Sequence, residues 1–177
     1  MWHSGAVRRA LLVGLGIVAL VALGRPCEAR AYERQVGLSL ELGYAITPIG
    51  ALPPHGVYAE GGVSVGLGDA WELRGRIAYA YHPAPMHRWA GGVELVYLID
   101  VFEIVPFLGL GVSGIATLND VVVTGDFAAN AVVGLDVLLS RDVTLGIEVR
   151  PSVLLTSLDT APLWLEAGAR LQWLIPY

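Results

Sequence analysis

A chain of 177 residues with a formal charge of −5, 55% of them hydrophobic and only 15% charged, is one domain in length. It is too apolar for an ordinary soluble domain, which carries about 25% charge. The 11 basic residues against 16 acids exclude a nucleic-acid partner. The single cysteine, Cys27, excludes a disulfide framework and a thiolate metal site.

The first element is a leader. Arg8 and Arg9 precede an apolar stretch over 10–24, and Ala29-Arg30-Ala31 supplies a small-x-small site. This pattern predicts a secretory signal peptide over 1–31, cleaved after Ala31, with the mature chain running from 32 to 177. Arg25 and Pro26 before Cys27 do not suit a lipidation signal. Cys27 leaves with the leader, and the mature chain becomes more acidic.

No run of about 18 apolar residues follows the leader, so the apolar content is not packed into helical spans. It alternates instead. Val36, Leu38, Leu40, Leu42 and Tyr44 oppose Gly37, Ser39, Glu41, Gly43 and Ala45. Val57, Ala59, Gly61, Val63, Val65 and Leu67 oppose Tyr58, Glu60, Gly62, Ser64 and Gly66. Trp71, Leu73, Ile77, Tyr79 and Tyr81 then oppose Glu72, Arg74, Arg76, Ala78 and Ala80, and Trp89, Val93, Leu95, Tyr97 and Ile99 oppose Ala90, Gly92, Glu94, Val96 and Leu98. In the second half Leu108, Leu110 and Val112 face away from Gly109, Gly111 and Ser113; Ala129, Ala131, Val133, Leu135, Val137 and Leu139 away from Asn130, Gly134 and Asp136. Val143, Leu145, Ile147 and Val149 oppose Thr144, Gly146, Glu148 and Arg150, and the closing stretch sets Leu163, Leu165, Ala167, Ala169, Leu171, Trp173 and Ile175 against Trp164, Glu166, Gly168, Arg170 and Gln172. A period of two means strands.

Eight such segments are the even number and the length of transmembrane β-strands, which need about 9–11 residues when tilted near 45°. The connections read as 46–56, 68–70, 82–88, 100–103, 116–126, 140–142 and 151–161, long and short in turn, as when external loops alternate with periplasmic turns. The predicted fold is all-β, an eight-stranded antiparallel up-and-down transmembrane β-barrel, with both termini on the periplasmic side and no appended domain. The rival all-β reading is an exported soluble barrel of the lipocalin type with the apolar face inside. It would give water a coat of Gly, Ala and Ser without a single lysine, and the reverse assignment would turn Arg74, Arg76, Arg150 and Arg170 to lipid at about 2–4 kcal/mol each near the midplane. Aromatics mark both ends of the apolar face: Trp71, Tyr97 and Trp173 at one, Tyr44, Tyr79, Tyr81, Trp89 and Phe127 at the other.

With the leader, the eight segments, the Gly-punctuated "VPFLGLGVSG" (105–114) and a terminal aromatic behind alternating apolar residues, the mature chain resembles small bacterial outer-membrane barrels of the outer membrane protein A-like and X-like type. The resemblance implies an integral outer-membrane location, contact with outer-membrane lipid, and a C-terminal strand (Leu171, Trp173, Ile175, Tyr177) read by the barrel-assembly machinery. Pro176 beside Tyr177 is tolerable only at a strand end or edge.

The lumen face then carries Glu41, Glu60, Glu72, Arg74, Arg76, Glu94, Asp136, Glu148, Arg150, Glu166 and Arg170, and buried charges must pair. Counting from the periplasmic ends couples Arg76 with Glu94 and Glu148 with Arg170. The expected role is structural or surface-interactive, by a monomer without cofactor or metal. A narrow cation-selective pore is the alternative, since the lumen acids outnumber its arginines. A lipid A-modifying enzyme comes third: His55, His82, His87, Ser152 and Ser157 fall near the external loops, but without a His-x-Ser pattern, so no catalytic residue is assigned. His82 and His87 flank "PAPM", where two prolines turn the chain, and lack a third ligand for a metal. The run 121–123 extends strands five and six as a local hairpin, or as an edge open to a foreign strand.

Overall fold

The computed structural model describes residues 35–47, 55–68, 70–83, 86–99, 104–119, 122–156, 158 and 163–176; the leader, its cleavage site, Ser157 and Tyr177 lie outside them. The strands are β1 (Gln35–Ile46), β2 (His55–Gly66), β3 (Trp71–His82), β4 (Met86–Leu98), β5 (Ile104–Asn119), β6 (Val122–Ser140), β7 (Val143–Leu154) and β8 (Leu163–Pro176). Each pairs antiparallel with its neighbours in sequence order, and β8 closes on β1 through pairs from Ile46↔Leu165 to Gln35↔Pro176. Pro176 therefore sits at the strand end, where a missing donor breaks no interior rung.

The register climbs around the wall. A row that starts at Leu40 in the middle of β1 passes Gly61, Ile77, Gly91 and Gly114 and reaches Phe127 near the start of β6. The strands are thus tilted to the barrel axis, as closure of eight strands requires. One irregularity, between Leu138 and Ser140, locally shifts the β6–β7 register. Gly68 in the β2–β3 turn has φ 122°, a conformation open to glycine because it lacks a Cβ.

The alternation of long and short loops does not hold. The strand ends that bound 47–54, 83–85, 120–121 and 155–162 lie at one end, the loop end; those that bound 67–70, 99–103 and 141–142 lie at the other, the terminal end, where β1 starts and β8 stops. Only three and two residues separate β3 from β4 and β5 from β6, because these strands run further than their apolar runs suggest. The β5–β6 hairpin pairs out to Asn119↔Val122, whereas β6–β7 pairing starts only at Ala128↔Leu154. Thr117 and Thr124, which look like turn residues in sequence, pair across this extension.

The faces fall as the alternation predicts. Leu42, Ile77, Leu110 and Ile147 stand outward at 61–71% exposure, and the outward set is apolar along every strand. Trp71, Tyr97 and Trp173 ring the terminal rim, with Trp71 and Tyr97 edge to face at 5.0 Å; Tyr44, Tyr81, Trp89 and Phe127 stand at the loop rim. The inner set holds the charges: Arg74, Arg76, Arg150 and Arg170 are all at most 6% exposed. Apolar belt outside and ion pairs inside is the arrangement lipid stabilises and water does not. The barrel spans a membrane.

Glycines thin the inner wall where large side chains fold across it. A Cβ on Gly56 would lie 2.6 Å from His82 Cε1, and one on Gly43 would lie 2.5 Å from Tyr58 Cε1. The lumen is layered as a result. Val96, Leu98, Val105, Phe107, Val132 and Leu174 plug its terminal end. Tyr58 and Trp164 pack with Ala45 and Ala80 toward the loop end, beside a second cluster that includes Ile115 and Leu154. The charges lie between.

Candidate functional site

The middle layer is built around Arg150 on β7. Its Nη1 is 2.9 Å from Glu60 Oε2 and 3.1 Å from Glu166 Oε2, its Nε is 2.7 Å from Glu94 Oε1, and Nη2 donates to Glu148 and, at 3.1 Å, to Glu60 Oε1. The fork of the guanidinium suits such shared pairing because its donors are planar and fixed. Arg76 on β3 reaches the same acids from the opposite wall, with Nη1 at 2.9 Å from Glu60 and 3.3 Å from Glu166, and Nε at 3.2 Å from Glu94. Nearer the terminal end, Arg74 Nη2 meets Glu72 at 2.8 Å, and Arg170 Nη2 meets Asp136 at 2.7 Å. Their Nη1 atoms converge on Glu148 Oε2 at 3.7 and 3.6 Å. The Phe107 ring lies 4.4 Å from the Arg74 guanidinium and 4.9 Å from that of Arg170, so the charge layer rests on the apolar plug.

All eleven charged positions read from the sequence are therefore buried in one lumen, and each of the two expected couples is within ion-pair distance. The sequence reading missed the hub. Arg150 was placed on the face but given no partner, because its ties to Glu60 and Arg76's tie to Glu166 cross the lumen between strands far apart in sequence. Polar residues complete the layer: Asn130 Nδ2 donates to Glu94 at 3.0 Å, Ser113 donates to Asn130 at 3.0 Å, and Gln172 bridges Ser64 and Glu72 at 2.9 and 3.1 Å.

The alternation puts Arg88 in the 82–88 connection. It is instead 2% exposed inside β4, with Nε 3.2 Å from Thr117 Oγ1 and its guanidinium 3.8 Å from the Trp164 ring. The prolines before it hid the strand start. His82 and His87 are not a pair. His82 is buried in the lumen, 3.0 Å from the His55 carbonyl and packed on Trp164 at 5.1 Å; His87 meets the Tyr79 hydroxyl at 2.6 Å on the outer face, where its ring also packs against Tyr81. Ser152 is buried in the lumen at 1% exposure. His82 and Ser152 thus share the lumen, and His87 stands on the outer face.

Glu41 stands apart in the charge layer. Its cross-strand neighbours are Glu60 and Arg170, the Tyr58 hydroxyl donates to its Oε1, and among the described residues its Oε2 has no hydrogen-bond partner. Among the described residues, one carboxylate oxygen from each of Glu41, Glu60 and Glu148 lies within 4.8 Å of the others.

The pocket lined by Glu60, Arg74, Arg76, Glu94, Glu148, Arg150 and Arg170 holds about 10 Å³, room for about one water. Among the described residues, side chains fill the charge layer.

No family model matches the chain, and no curated protein matches it by sequence. Solved structures do. Neisserial surface protein A (NspA) superposes with a TM-score of 0.62 at 12% identity, over 78% of this chain and 95% of its own. The N-terminal β-barrel domain of OprF from Pseudomonas aeruginosa gives 0.60 at 14%, over 81% and 98%. The fold is that of the small outer-membrane barrels. The outer membrane enzyme PagL is also similar, with a TM-score of 0.50 at 15% identity over 80% of this chain and 99% of PagL, so this fold is shared by an enzyme.

Proposed function

We propose that the chain is an integral outer-membrane protein whose closed barrel neither conducts ions nor catalyses a reaction, and whose role is structural or interactive at the loop end. The filled lumen carries this reading: with about 10 Å³ of open space between apolar layers, no file of hydrated ions passes. The loop end supports an interactive role. Leu118, Val122, Val123, Phe127, Leu155 and Leu158 stand 39–68% exposed there, and β6 outruns its pairing with β7. The protein inserts as a monomer surrounded by lipid, and β8, whose Leu171, Trp173 and Ile175 face outward, is the strand the assembly machinery reads, together with Tyr177.

Purified, folded protein in planar bilayers is expected to be electrically silent. Stable cation-selective steps that change in Glu94→Ala and Arg76→Ala would establish a pore instead. Expression in a Gram-negative host is expected to leave lipid A mass unchanged. A deacylated or acylated product lost in His82→Ala or His87→Ala would make it an enzyme.

A further inference from the structure

At the loop end β6 leaves part of one edge unpaired. β5 is covered on both sides along its extension, by β4 as far as Met86↔Asn119 and by β6 as far as Asn119↔Val122. β6 has β5 on one side only. Its other side is occupied up to Asp126, where Leu155 N donates to the Phe127 carbonyl at 2.7 Å and Thr156 Oγ1 donates to Asp126 Oδ1 at 2.8 Å. Beyond that point Val122, Val123, Thr124 and Gly125 are exposed, and among the described residues no strand lies beside them. Natural edges are guarded by charges, prolines or bulges, because an open row of N–H and C=O groups pairs with a strand that meets it. These four residues carry no charge and no proline, and the register irregularity of β6 lies at its far end, between Leu138 and Ser140.

We propose that this edge pairs with the same edge of a second copy held in a facing membrane. The proposal names a partner for the interactive loop end and rests on that reading. The register that the edge allows selects a second copy. Val122 and Thr124 share one face of β6 and Val123 takes the other, as the period of two requires. Half a turn about the sheet normal keeps each face on its own side, so two identical edges meet antiparallel with a residue at the centre. Centring on Thr124 would drive Val122 of one copy into the place beside Asp126 that Thr156 of the other fills. Centring on Val123 is clear. Val123 then meets Val123, and Val122 meets Thr124 on either side of it. These are β-branched pairs, which a pleated surface favours, and Asp126 lies outside the paired stretch, so no two acids are opposed.

Antiparallel pairing points the two barrels in opposite directions. Copies inserted in one membrane share an orientation, so each stays monomeric there and the pairing forms between loop ends that face each other. The contact is short and falls in the class of weak encounters below about 1,200 Å². Its strength comes from many copies acting together on two apposed surfaces.

The test oxidises Val123→Cys in micelles, where barrels meet in any orientation, with heat-modifiable gel mobility reporting the fold. Directly opposed residues stand about 4.5–5.5 Å apart, within reach of a disulfide. Linked dimer is expected to form severalfold faster than in Leu118→Cys, which is also exposed at the loop end but lies one strand in from the edge. Wild type, whose single cysteine is Cys27 of the expected leader, sets the background. Phosphatidylcholine vesicles carrying wild type are expected to cluster, as read by light scattering, and those carrying Val123→Lys, which sets like charges face to face, to stay dispersed. A folded Val123→Cys that links no faster than Leu118→Cys, or equal clustering with Val123→Lys, overturns the second copy as occupant and leaves the edge to a strand of another chain. Ion current or altered lipid A overturns instead the closed, non-catalytic reading, which neither linking nor clustering measures.

Discussion

Replacing Arg150 with alanine is expected to destabilise the folded barrel by about 3–5 kcal/mol, the range for removing one partner of a buried ion pair. The size follows from what is left behind. Glu60, Glu94, Glu148 and Glu166 all lose a guanidinium contact at once, and Arg76 alone remains in reach of Glu60, Glu94 and Glu166. Water that fills the space the side chain vacates brings no charge to offset the four carboxylates. Arg150→Lys is expected to fall between the two, since an ammonium keeps the charge but cannot reach several carboxylates along a planar fork. Urea titration in lipid vesicles, followed by tryptophan emission, measures both. A loss below about 1 kcal/mol for the alanine variant would put this pair in the class of exposed ion pairs and show that the lumen is wet.

The same hub shows what the sequence holds and what it does not. Strict alternation assigned residues to the inner or outer face because a narrow barrel in lipid leaves each position one of two environments, and one bulky apolar side chain per two residues settles which. That logic placed Glu60, Glu166 and Arg150 inside. It gave no height. Height depends on strand tilt and register, which belong to the closed barrel rather than to any one segment. Cross-lumen partners such as Arg150 and Glu60 were therefore invisible, while Arg76 with Glu94 and Glu148 with Arg170 were legible from their distances along adjoining strands. Arg88 was missed because Pro83 and Pro85 interrupt the period just before β4, and the β5–β6 extension was legible only at the valine run, because Thr117, Asn119, Thr124 and Gly125 are residues that turns also use. In both places local composition favoured a loop, and pairing with the neighbouring strand extended the sheet past it.

On the other face, Ile77→Arg is expected to cost about 2–4 kcal/mol when the protein is folded in vesicles. Ile77 is 65% exposed, stands outward midway along β3, and its cross-strand neighbours on both sides are Gly61 and Gly91, so no side chain beside it shields a charge from the acyl chains. Depth distinguishes this from a general intolerance of change. Leu67→Arg, at a position 55% exposed in the turn region of the terminal rim, is expected to cost only about 0–1 kcal/mol, because a guanidinium there reaches the headgroups. Exposed substitutions on a water-soluble barrel usually stay within about 0.5 kcal/mol wherever they lie. Equal, small losses at both positions would therefore mean that the apolar belt faces water. A steep difference between them, measured by urea titration of both variants in the same vesicles, means that Ile77 is buried in hydrocarbon, and that the charges of Arg76 and Arg150 are held inward by the cost of turning them out.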